Sequence, residues 1–176
     1  MVICYILAFC RVTIGLVFAI SSFGKVRNIQ KFKQAILHFQ LLPSYLSYPL
    51  AVLFLSGELA VVLFVIIGDP LLLPGFALAT LLLLIFCGAL VSVLVRRMQT
   101  ACNCFGSSEK NVSYADLWRN LGFILCASLG YETLIWTQGT PVRLGGVEWL
   151  LASLGALVFV LIWIELGEIV QLFRPN

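Results

Sequence analysis

Leu71-Leu-Leu-Pro-Gly-Phe-Ala-Leu-Ala-Thr-Leu-Leu-Leu-Leu-Ile-Phe-Cys-Gly-Ala-Leu-Val-Ser-Val-Leu-Val95 carries no charged residue from end to end. As a helix rising 1.5 Å per residue it is longer than the ~30 Å hydrocarbon core of a bilayer. Pro74 falls in its first turn, where a missing N–H costs little. An apolar run of this length has no polar face to turn toward water, so it needs a protein or lipid partner on every side. The rest of the chain is too small to bury it. Of 176 residues 61% are hydrophobic and 11% charged, with a mean hydropathy of +1.06. A soluble domain carries roughly 25% charged residues.

Four more apolar stretches flank this one: about Ile3–Phe23, Tyr48–Ile67, Leu117–Thr137 and Val147–Ile164. In lipid the backbone must satisfy its own hydrogen bonds, so such spans are helices. The expected fold is all-α: one integral membrane bundle over residues 1–176, with four to five transmembrane helices. The connection Gly68–Pro70 is short enough to make the second and third spans an antiparallel hairpin. Residues Asn28–Leu42 place Ile29, Phe32, Ile36 and Phe39 at spacings of three and four. That pattern predicts a short amphipathic helix lying in the interface and ending at Pro43. The first span has no basic segment before it and holds Arg11 mid-run, which sets it apart from a cleaved signal.

Basic residues are distributed unevenly about the spans. Lys25, Arg27, Lys31, Lys33, Arg96, Arg97, Lys110, Arg119 and Arg174 fall on one side and Arg143 on the other. The positive-inside rule then puts the N-terminus outside and the C-terminus inside. A net charge of +3 placed this way suits anionic lipid at the inner leaflet and gives no reason to expect nucleic acid.

Two constellations carry chemistry. The first is charge inside the spans. Arg11 and Glu58 lie twelve and ten residues from inner span ends at Phe23 and Tyr48, depths that differ by about 3 Å. An intramembrane Arg11–Glu58 ion pair is therefore expected, as a structural clasp or as a proton or substrate site. Glu132, Glu165 and Glu168 are near span ends and read as interfacial. The second is cysteine. Cys4, Cys10, Cys87 and Cys126 lie inside spans, where cysteine packs as a small apolar residue. They also stand at graded depths that an electron relay across the bilayer would need. Cys102 and Cys104 flank one residue in the polar segment Arg96–Asp116. A Cys-x-Cys pair can close a small strained ring, and strain makes a disulfide more oxidising. The alternatives are a structural turn or half of a metal site; a metal would need ligands from elsewhere, since His38 is remote. No cofactor is assigned.

These residues resemble the DoxX-like membrane proteins and, within them, the MauE family of methylamine-utilisation proteins. Arg11-x3-Gly15-x2-Phe18 followed by Ser22-Phe-Gly-Lys25 is similar to the family's opening pattern, with the lysine directly after the glycine where two residues usually intervene. Phe39-Gln-Leu-Leu-Pro43 and Glu58 follow. Cys102-Asn-Cys-Phe-Gly106 looks like the family's Cys-x-Cys-Phe-Gly motif, with Leu117-Trp-Arg-Asn120 downstream. The matches cover roughly residues 11–125. The resemblance implies thiol–disulfide maintenance for exported or membrane proteins in a bacterial inner membrane, beside a thioredoxin-like partner. Cys102 and Cys104 would be the exchanging pair, and any enzymatic role would be as a thiol–disulfide exchange component. The competing class is a non-catalytic subunit of a larger membrane complex, for which a small bundle with little surface beyond lipid would be suited.

Overall fold

The computed structural model describes residues 2–30, 34, 47–96, 114–137 and 145–164. They form five long helices: α1 (Val2–Arg27), α2 (Ser47–Ile67), α3 (Leu72–Val95), α4 (Tyr114–Trp136) and α5 (Gly146–Ile164). By length and composition α1, α2, α3 and α5 can each cross a membrane. The fourth, of similar length, carries Asp116, Arg119 and Glu132 and packs among them. The expected all-helical membrane bundle is the observed one. Of the expected interfacial helix, Ile29, Gln30 and Gln34 are helical; the remainder lies outside the described residues.

α1 touches α2 and α4, and α3 touches the same two, so α1–α4 close a four-helix ring with α5 packed on the outside of α1. Ile14, Val61, Phe76, Ala79, Phe123 and Ala127 fill the ring. Its outer surface is as apolar as its interior: Leu53, Leu63, Leu81, Leu125 and Leu150 are all more than half exposed. Exposed apolar area on that scale, continuous over long helices, needs lipid as its solvent.

Close contacts set the helix spacing. At Gly130 an added Cβ would stand 2.5 Å from Phe76 Cε1, and at Gly122 it would stand 2.6 Å from the Trp163 ring. Trp163 Nε1 donates to the Arg119 carbonyl at 3.1 Å, and Arg119 Nη1 donates to the Ile164 carbonyl at 3.3 Å. These bonds tie α5 to α4 near Ile164.

The α2–α3 hairpin turns at Gly68, whose φ of 82° suits glycine. Arg11 sits against this turn. Its Nε donates to the Val65 carbonyl at 2.9 Å and its Nη2 to the Ile66 carbonyl at 3.2 Å, and its guanidinium lies 5.5 Å from the Trp149 ring centroid. The cation thus caps the C-terminus of α2, the end where the helix dipole favours positive charge. One side chain on α1 thereby holds α2 and α5.

Candidate functional site

Two residues on one face of α1 converge with one carboxylate of α2 inside the ring. Ser21 and Lys25, four residues apart, share that face with Ser22 close by. Lys25 Nζ forms a salt bridge to Glu58 Oε1 and donates to Ser21 Oγ at 3.0 Å, while Ser21 Oγ donates to the same Glu58 oxygen at 3.1 Å. The two charged side chains are only 2% and 4% exposed. The ammonium also lies 5.2 Å from the Phe54 ring centroid and 5.9 Å from that of Phe86. Such rings attract a cation through their negative faces, more strongly when water is excluded.

Asn120 of α4 completes the surround. Its Nδ2 donates to the Leu83 carbonyl of α3 at 2.9 Å, a polar bond between two helices within the apolar ring. Val17, Phe18, Leu82 and Leu83 close the walls of a cavity of about 20 Å³, roughly the space one water needs. Glu58 Oε2 is buried beside it with no hydrogen-bond partner among the described residues. The centre therefore offers a fixed cation, a carboxylate with one free oxygen and room for a water. That arrangement can hold or pass a proton.

The expected Arg11–Glu58 pair is not formed; Glu58 pairs with Lys25. The axial stagger of the helices is the reason. Arg11 is level with Val65 and Ile66, at least seven residues beyond Glu58 along α2, or about 10 Å. The first helix does not stop at Phe23. It runs a further turn to Arg27, and its lysine turns inward instead of joining the interfacial charges. Lys25, Ser21 and Asn120 are the residues of this centre that hydropathy misses. The signal for them was the Ser21-x3-Lys25 spacing at the end of an apolar run.

Cys102 and Cys104 lie outside the described residues. The helices that flank their segment end at Val95 and begin at Tyr114, at the end of the ring where α1 finishes and α2 starts. Asn120 is six residues into α4, about 9 Å from that end. Of the intramembrane cysteines, Cys10 and Cys126 are buried in the core while Cys4 and Cys87 are half-buried. Glu132 is exposed.

Fold and site together define a multi-pass helical membrane protein whose helices close on a buried cation–carboxylate pair. Comparison with known proteins narrows that class. The family model described as methylamine utilisation protein MauE matches residues 3–132. The methylamine utilization protein MauE of Paracoccus denitrificans is 30% identical over 154 residues, which covers 83% of this chain and 82% of the relative. The chain belongs to the MauE family. No solved structure matches it. The matched region takes in Ser21, Lys25, Glu58, Asn120 and the Cys-x-Cys segment.

Removing one partner of a buried ion pair strands the other charge, at a cost of about 3–5 kcal/mol, whereas replacing both with apolar groups is often neutral. Lys25→Met and Glu58→Gln should each lower the unfolding midpoint in detergent, and the double variant should recover much of the loss. Arg11→Met combined with Glu58→Gln should instead add. Coupling between Arg11 and Glu58, with additivity between Lys25 and Glu58, would reverse the pairing described here.

Proposed function

We propose that this protein maintains thiol–disulfide balance for exported or membrane proteins, using Cys102 and Cys104 as an exchanging pair with a thioredoxin-like partner. The observation that carries the reading is the family match across a Cys-x-Cys-Phe-Gly segment. That segment joins α3 and α4, the helices that bring Phe86 and Asn120 to the Lys25–Glu58 centre. The relative's name ties that protein to methylamine utilisation; for this chain the proposal is the thiol chemistry alone.

The chemistry balances within the two proteins. One loop thiolate attacks the partner's disulfide and forms a mixed disulfide, releasing a partner thiolate. The second loop thiolate then displaces the partner's remaining sulfur, so the loop is oxidised and the partner reduced by the same two electrons. The reverse sequence oxidises the partner. Each direction moves protons between the thiols and their surroundings.

The protein resides in a bacterial inner membrane, its N-terminus outside and the Cys-x-Cys segment in the cytoplasm, by the nine-to-one distribution of basic residues. The cytosol keeps thiols reduced, so a cytosolic thioredoxin-like protein is the appropriate electron donor. An impermeant maleimide applied to intact cells after reduction should leave Cys102 and Cys104 unlabelled and should label them in inverted vesicles. Labelling from outside the cell would invert the orientation.

Replacing Cys104 with serine removes the resolving thiol. Cys102 should then attack the disulfide form of its thioredoxin-like partner and hold it in a reducible adduct that accumulates on a non-reducing gel. A chain that gives no adduct and tolerates serine at both positions with its assembly intact is a structural subunit of a larger complex instead.

A further inference from the structure

One carboxylate oxygen inside the ring is left over. Lys25 Nζ and Ser21 Oγ both donate to Glu58 Oε1, while Oε2 of the same carboxylate is buried with no hydrogen-bond partner among the described residues. The hydroxyls of Thr13 and Ser22 share that condition, but they differ in kind. A hydroxyl on a helix can rotate and donate to a carbonyl one turn back. A carboxylate oxygen only accepts, so its donor must come from elsewhere. Glu58 also lines the cavity between the helices, and Thr13 and Ser22 do not.

The walls of that cavity define what can donate. Val17, Phe18, Leu82 and Leu83 are apolar, as are the rings of Phe54 and Phe86. Ser21 gives its proton to Glu58 and accepts from Lys25. Asn120 Nδ2 is committed to the Leu83 carbonyl, and that bond fixes the amide so that its remaining atom is a carbonyl oxygen. The acceptors with capacity to spare are therefore Glu58 Oε2 and Asn120 Oδ1. A guest between them has to donate. It has to be uncharged, because Lys25 already matches the charge of Glu58 and the other walls are apolar. It has to be small, because the cavity is about 20 Å³, roughly the room one water needs. A small, uncharged molecule with two protons to donate is water.

We infer that this cavity is a binding site for a single water, which donates to Glu58 Oε2 and holds the glutamate in its charged form opposite Lys25. A proton on Oε2 would satisfy the same oxygen, but it would discharge Glu58 and leave the ammonium of Lys25 buried without a counter-charge. The water supplies the missing donor and keeps the ion pair whole. Buried waters ordinarily serve polar groups that the chain itself leaves unsatisfied. The site is built by α1, α2, α3 and α4 together, and the inference does not rest on Cys102 or Cys104.

The test uses the intact protein in lipid. An X-ray pulse converts a bound water to a hydroxyl radical where it sits, so a side chain touching that water is oxidised even when buried. Three phenylalanines of the ring give an internal comparison. Phe18, Phe76 and Phe123 are 3%, 0% and 0% exposed, and of the three Phe18 lines the cavity. Mass spectrometry should find Phe18 oxidised several-fold faster than Phe76 and Phe123. Val17→Leu, which extends the cavity wall inward, should abolish that excess. Infrared difference spectra between the wild type and Glu58→Gln should show no protonated-carboxyl band belonging to Glu58. Oxidation of Phe18 as slow as that of Phe76 and Phe123 would overturn the inference. So would an excess that persists in Val17→Leu, or a protonated-carboxyl band that Glu58→Gln removes. The wild-type ratio decides the matter even where a variant fails to fold.

Discussion

A lysine and a glutamate attract one another where no water can substitute for either. A buried charge stripped of its partner costs about 3–5 kcal/mol, so Lys25 and Glu58 each depend on the other for a tolerable place in the ring. Ser21 and the rings of Phe54 and Phe86 share the load. The pair fixes the phase of α1 against α2. Once that phase is set, α1 presents Ile14, Val17 and Phe18 to the ring and the backbone of α4 can approach at Gly130. A polar contact thus dictates an apolar packing that the apolar residues alone leave underdetermined, because against lipid one leucine face is as good as another.

The opposite end of α1 has a different solution for the same problem. Arg11 has no carboxylate partner among the described residues and spends its donors on the carbonyls that end α2. Two cations on one helix, Arg11 and Lys25, therefore grip the same neighbour at two heights. Together they set the stagger of α1 against α2. The centre that results has a spare carboxylate oxygen and space for a water. A structural clasp needs neither, so the spare oxygen is what makes the centre a candidate for proton handling beside thiol chemistry.

Much of the fold was legible in the sequence, because lipid leaves the backbone few choices. Every apolar run became a helix, and Gly68–Pro70 became the expected hairpin. What hydropathy could not supply was where a helix ends when its last turn is polar. Lys25 and Arg27 read as basic residues beyond a span that ends at Phe23, yet α1 runs on to Arg27 and the lysine turns inward to a carboxylate. Missing that turn shifted the depth of Arg11 and produced the wrong partner for Glu58. Pairing depends on helical phase and stagger, which one sequence does not encode in any local pattern. Asn120 was quoted within a motif, but its bond to Leu83 became visible only with the helices in place.

Lys25 is a buried ammonium held by Glu58. Nitrogen NMR of the side chains, on protein carrying labelled lysine in lipid, tests this pairing most directly. The chain has four lysines: Lys25, Lys31, Lys33 and Lys110. One ammonium resonance should show slowed proton exchange, absent in Lys25→Met and displaced in Glu58→Gln while unchanged in Arg11→Met. Four lysines that all exchange as freely as a solvated side chain, or a slow resonance indifferent to Glu58→Gln, would contradict the pairing.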